Sequence, residues 1–156
     1  MSLLSNKTAC RALVQKVYNE GRLELIDELV AEGAVDHGLG RHGLEHTTTP
    51  RWIAGFLLLC RQAFPDLRVE IEDMVAEGDH VVTRWRLTGT HTGPLTGFPA
   101  SGQPVDVSGI RMDRFANGKI VESWNNWNTL GRSGQTGALP EPREPLDPAP
   151  WWTEAA

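Results

Sequence analysis

Cysteine is nearly absent from this sequence. The two that occur, Cys10 and Cys60, each fall inside a helical pattern, whereas a disulfide framework needs an even, loop-rich set in an oxidising compartment. Two buried free thiols are the expectation. Clustered basic charge is missing as well: 15 Lys and Arg are scattered among 20 Asp and Glu, for a net charge of −5. A nucleic-acid partner requires a basic face that displaces counterions, so no nucleic acid is expected. Long apolar runs are also lacking. The longest, Ile53 to Cys60, is far shorter than the ~20 residues of a membrane span. Met1 to Lys7 lacks the charged-then-apolar layout of a signal peptide, so the expectation is no membrane and a cytoplasmic location.

Apolar residues make up 40% of the 156 positions, enough to bury one core. Ala9, Leu13, Val14 and Val17 recur at helical spacing after Ser5 or Asn6, which can cap a first helix that Gly21 ends. A second short helix is predicted over Leu23–Val30, and the polar stretch Val35–Thr49 reads mainly as loop. Thr49-Pro50 opens a third helix with Trp52, Ile53, Phe56, Leu57 and Cys60 on a wide apolar face, ended by Phe64-Pro65-Asp66.

From Leu67 onward the period changes to two. Strands are predicted after Leu67, over Val81–His91, over Val105–Phe115 and over Ile120–Asn128, with turns at Glu77-Gly78-Asp79 and Asn117-Gly118. Helices followed by antiparallel strands make an α+β pattern. A twisted sheet closed at one end by helices has one natural cavity. Half of the ten prolines lie between Pro140 and Pro150, so residues 133–156 read as an extended or disordered tail after a folded domain at 1–132. Trp151-Trp152 near the end of that tail would suit docking onto a partner subunit or the pocket mouth.

Four segments occur in a telling order: Ala63-Phe64-Pro65-Asp66-Leu67, Glu77-Gly78-Asp79, Gly89-Thr90-His91-Thr92-Gly93 and Gly118-Lys119-Ile120-Val121-Glu122-Ser123-Trp124. Together they resemble the SnoaL-like polyketide cyclase family, a branch of the nuclear transport factor two superfamily, over roughly residues 8–131. The resemblance implies a cone-shaped α+β barrel, with three N-terminal helices packed on a curved antiparallel or mixed sheet that encloses a pocket. It also implies a homodimer or homotetramer, an apolar or aromatic small-molecule ligand, and no metal or organic cofactor. Characterised relatives close a ring of an aromatic polyketide by an intramolecular aldol step. Others in the superfamily hydroxylate, isomerise or open epoxides, and many only bind. The family's last strand carries Trp, three residues, then an acid/base aspartate; here Asn128 stands where the aspartate is expected, after Trp124. An amide offers no usable proton near neutral pH.

His91, in the Gly-Thr-His-x-Gly motif, is the first candidate for the catalytic base or for a hydrogen-bond donor to substrate, with pinning of the following turn as the alternative. Asn128 and His37 are the other catalytic candidates, set to orient or polarise substrate oxygens; a surface histidine is the alternative for His37. Its spacing to His42 and His46 invites a metal reading, which the absence of accompanying carboxylate or thiol ligands disfavours. Trp52, Phe56, Trp85, Phe98, Arg111 and Trp124 are expected to line the pocket. Arg111 and Asp113 share one face of a strand. In the pocket they would suit water activation for epoxide opening; outside it they are an ordinary ion pair. The reading that results is a cofactor-independent, cyclase- or isomerase-like enzyme of polyketide-type metabolism. A non-catalytic binding protein and a hydroxylase or epoxide hydrolase-like enzyme are the alternatives.

Overall fold

A computed structural model of the chain describes residues 2–37, 46–47, 50–94 and 99–127, with only the backbone described for His46, Thr47, Trp52 and Trp127. The first helix, α1 (Leu3–Ala12), begins one turn earlier than the sequence suggests. Ser2 is its cap, the side-chain oxygen accepting from the Ser5 amide at 3.1 Å. The helix runs on into a π-helical segment, Leu13–Asn19, whose wider turn is closed by the Glu20 amide on Gln15 O. Gly21 then takes a left-handed conformation, φ 75°, as the pattern predicts. Asn6, Cys10, Leu13 and Val17 form the buried stripe of this rod.

A 3-10 turn (Leu23–Leu25) leads into α2 (Ile26–Leu29). Beyond it the chain departs from the expected helix end at Val30 and loop from Val35: Val30–Asp36 is a strand, β1. Its alternation is interrupted at Gly33, φ 110°, where the register against its neighbour shifts. Its stabilising partner is the distant β6, to which it lies parallel, so nothing local announces it. After the two-residue β2 (His46–Thr47), helix α3 spans Pro50–Ala63, and the chain then enters β3 (Arg68–Glu77), β4 (His80–Thr90), β5 (Pro104–Ala116) and β6 (Lys119–Trp127). Asn117 and Gly118, with φ 49° and 83°, make the tight hairpin that Asn-Gly favours.

The six strands form one mixed sheet in the order β2-β1-β6-β5-β4-β3. With three helices against it, the architecture is the α+β cone expected from the sequence. The helices cover a single face, and the buried apolar residues there fall into two clusters. One holds Leu13, Val17, Ile26, Leu57, Val81 and Ile120; the other holds Phe64, Leu67, Val69, Trp85, Val105 and Val107. Tyr18 packs against both. Among the described residues no helix is long and apolar enough to cross a membrane. The 133–156 tail, with Trp151 and Trp152, lies outside the described residues.

Two of the segments that carry the family resemblance latch onto each other. At the end of α3, Ala63 O accepts from the Thr92 and Gly93 amides at 3.0 and 3.1 Å. Asp66 accepts from the Thr90 amide at 2.6 Å and the Thr90 hydroxyl at 2.7 Å, which holds its carboxyl below the usual range. A methyl at Gly93 would stand 2.0 Å from Gln62 O, so only glycine permits this approach. The clasp fixes α3 over the sheet and hence the width of the space beneath it.

Candidate active site

Strand register lays out the site. Residues facing each other on β4, β5 and β6 share one face, and three transverse rows result. Val81, Asp113 and Ser123 stand side by side, and Asp36 of β1 pairs with Ser123 to extend the row. The next row is Thr83, Arg111 and Asn125, and beyond it Trp85 pairs with Gly109. All three rows face the helices and edge a cavity of about 120 Å³. Its walls are apolar: Leu13, Val14, Ile53, Phe56, Leu57, Phe64 and Val107 among them. Tyr18 and Cys10 reach it from the first helix.

The polar end is tightly bonded. Arg111 Nε donates to Asp113 Oδ1 at 2.8 Å and Nη2 donates to Ser123 Oγ at 2.9 Å. The Ser123 hydroxyl donates in turn to Asp113 Oδ1 at 2.6 Å. Among the described residues, Asp113 Oδ2 meets the Cys10 thiol at 3.7 Å, a weak donor. Asp113 is 1% exposed. Burial works against the charge of Arg111, but the carboxylates of Asp113 and Asp36 outweigh it and hold the guanidinium ionised. Burial, then the Asp113 charge, pushes the Cys10 thiol well above its usual range, so it stays protonated. The Tyr18 phenol is raised too, chiefly by burial, and remains a neutral O–H donor.

Of the residues expected from the sequence, Phe56, Trp85 and Arg111 line the cavity. His91 is fully buried but is not among the lining residues. It sits under the clasp, its ring 5.2 Å from Phe64. Nδ1 lies 3.1 Å from Ser101 Oγ and accepts from the Ser101 amide at 3.4 Å, and its backbone bonds Gln103 O and the Gly102 amide. His37 and Trp124 are on the opposite face of the sheet. There they stack with centroids 4.9 Å apart, and His37 Nε2 is 2.8 Å from Glu122 Oε1. The parity of β6 explains this: Ser123 must point inward to reach Asp113, so Glu122 and Trp124 point outward. Asn128, Phe98, His42 and the Trp52 side chain lie outside the described residues. No group of three or more His, Cys, Asp or Glu among the described residues is placed to hold a metal ion.

Sequence reasoning passed over Tyr18, Asp36, Thr83 and Asn125 as members of the site. Tyr18 is the lone tyrosine, a signal in itself, since a buried phenol needs a polar neighbour. Thr83 looks like any β-branched strand residue, and only pairing with Arg111 reveals it.

The comparisons with known proteins fit this architecture. The SnoaL-like polyketide cyclase profile matches residues 8–136. Aklanonic acid methyl ester cyclase DauD of Streptomyces sp. (strain C5) is 26% identical over 140 residues, 86% of each chain. Among solved structures, AclR of Streptomyces galilaeus, a proposed hydroxylase, is 28% identical with a TM-score of 0.77, covering 89% of this chain and 100% of its own. A proposed SnoaL-like polyketide cyclase from Jannaschia sp. CCS1 is 27% identical with a TM-score of 0.76, over 88% of this chain and 94% of its own. A profile match across most of the chain, joined to the cone and its clasp, leads to one conclusion: the chain belongs to the SnoaL-like polyketide cyclase family.

Proposed function

We propose that the protein is an acid/base enzyme of polyketide-type metabolism that closes or isomerises a ring of a flat, multi-ring, oxygen-bearing substrate. The observation that carries this reading is the buried Arg111–Asp113–Ser123 group at one end of an otherwise apolar cavity. Asp113 takes the part of the base. Its Oδ1 is occupied by two donors, while among the described residues Oδ2 meets the Cys10 thiol, a weak donor that substrate can displace. Oδ2 then removes a proton from a carbon next to a substrate carbonyl and later returns it. Negative charge then develops on the carbonyl oxygen, where a preorganised cation is worth most. Arg111 supplies that charge, and Tyr18 supplies a neutral donor. Every proton moves between substrate and side chain, so the proposal requires no cofactor. His91 acts as a positioning residue through the clasp.

A second reading draws on the same pair. Asp113 and Arg111 would activate a water molecule for addition to substrate, as an epoxide hydrolase-like enzyme requires. Incubating the protein with a panel of anthraquinone-type polyketide esters, followed by mass spectrometry, separates the readings. Ring closure or isomerisation leaves mass unchanged with a new retention time, and Asp113→Asn should slow it by roughly 10²–10⁴. Gain of water supports the second reading. Quenching of tryptophan fluorescence with no conversion points to a non-catalytic binding protein and contradicts both.

A further inference from the structure

Two buried atoms in the cavity wall have no hydrogen-bond partner among the described residues: Thr83 Oγ1 and Asn125 Oδ1. Buried polar atoms are almost always satisfied, and leaving one unmade costs on the order of 1–3 kcal/mol. These two are not scattered. Register puts Thr83 directly opposite Arg111 on one side and Asn125 directly opposite Arg111 on the other. All three line the same cavity. We infer that Thr83, Arg111 and Asn125 form a hydrogen-bonding bar that reads substrate oxygens set on alternate carbons of an aromatic ring. This inference rests on the cavity being the substrate pocket, as proposed above.

The donor types define what each position accepts. An arginine only donates, and Arg111 has N–H groups beyond the two that bind Asp113 and Ser123. The oxygen facing it is therefore an acceptor: a carbonyl, a phenolic lone pair or an enolate. Asn125 Oδ1 only accepts, so the ligand must offer it an O–H. Thr83 Oγ1 can do either, and serves a third oxygen. Spacing then selects the pattern. Neighbouring strands lie about 4.8 Å apart, close to the separation of two oxygens in a meta relation on a ring. An ortho pair is too close to serve two strands.

The plane of the ring is set one row along. A methyl at Gly109 would stand 2.4 Å from Trp85 Cζ2. Glycine there lets the indole lie close against β5, roughly 7 Å from the bar at two residues per row. The ligand thus stacks its ring system along Trp85 and presents its oxygenated edge to the three side chains.

Calorimetric titration of the intact protein with three naphthalenes of the same skeleton tests this. The probes are 1,3-dihydroxynaphthalene, 2,3-dihydroxynaphthalene and 1,3-dimethoxynaphthalene. The 1,3-diol should bind about tenfold tighter than the other two. Asn125→Leu and Thr83→Val should each reduce that preference. Because each removes an unsatisfied buried atom, neither should lower the melting temperature of the ligand-free protein. Indistinguishable affinities, no measurable binding of the 1,3-diol, or a preference that survives both substitutions would overturn the inference. The two proposals fail separately. A selective bar in a protein that converts nothing sinks the acid/base reading, and turnover indifferent to oxygen position sinks the bar.

Discussion

Strands β5 and β6 carry two arginine–carboxylate pairs, one on each face, and they share nothing but chemistry. On the inner face Arg111 Nε meets Asp113 at 2.8 Å, with side chains 14% and 2% exposed. On the outer face Arg114 Nε meets Glu122 at 2.7 Å, with 36% and 24% exposed. Each pair has a third member, Ser123 inside and His37 outside. Distance does not separate them, but burial does. Water screens the outer group and competes for every bond in it, so its net contribution is small. Within the cavity the same bonds have no aqueous alternative, and loss of one partner leaves a charge stranded. A sequence motif reports the residues of both pairs equally and the surroundings of neither.

Substitutions on the two faces should therefore differ most. Arg111→Met strands Asp113 in an apolar wall, and urea denaturation should show a loss of about 3–5 kcal/mol; a loss no larger than an exposed pair gives would erase the contrast. Gly109→Ala drives a methyl into the Trp85 indole. A cost of about 1–3 kcal/mol is expected from such overpacking, together with a changed near-ultraviolet circular dichroism of tryptophan. An unaltered spectrum would mean that the ring has room to move.

Alkaline pH sharpens the same comparison. The Cys10 thiol and the Tyr18 phenol have folded-state pKa values raised above their unfolded ones by burial. Their contribution to stability is complete below the unfolded values, about 8.5 for a thiol and 10 for a phenol. Above those values the unfolded chain releases protons that the fold retains, so stability falls as pH rises. Thermal melts from pH 8 to 10.5 should show this decline, shallower in Cys10→Ala. A flat profile would contradict the buried placement of both groups. The smallest effect belongs outside: Glu122→Gln, on the exposed face, should leave turnover and the melting midpoint within error at neutral pH.

The strands were legible in the sequence because alternation is local, and Asn117-Gly118 marked the hairpin by its left-handed preference. β1 escaped because Gly33 interrupts its alternation and because its partner, β6, is some ninety residues away in the pairing of Val30 with Ile120. Two faces of β6 could be drawn from period two alone. Which one is buried depends on Asp113 of the neighbouring strand reaching Ser123, a long-range fact. The family motifs were legible too, yet Asp66, Thr90 and Gly93 build the clasp beside His91, while Phe64 of the same motifs lines the cavity. Of the buried polar group only Ser123 comes from a motif; Arg111 and Asp113 lie outside them. Thr83, Arg111 and Asn125 become a unit only when three strands align.

The decisive question is where the proton moves. Steady-state kcat/KM on a converted polyketide ester should be compared for Asp113→Asn and His91→Gln, each shown to be folded by circular dichroism. The prediction is a loss of at least about 10² for Asp113→Asn and a change of only a few-fold for His91→Gln, through loosening of the clasp. If His91→Gln abolishes turnover while Asp113→Asn retains it, the chemistry lies at the clasp and the cavity pair is structural.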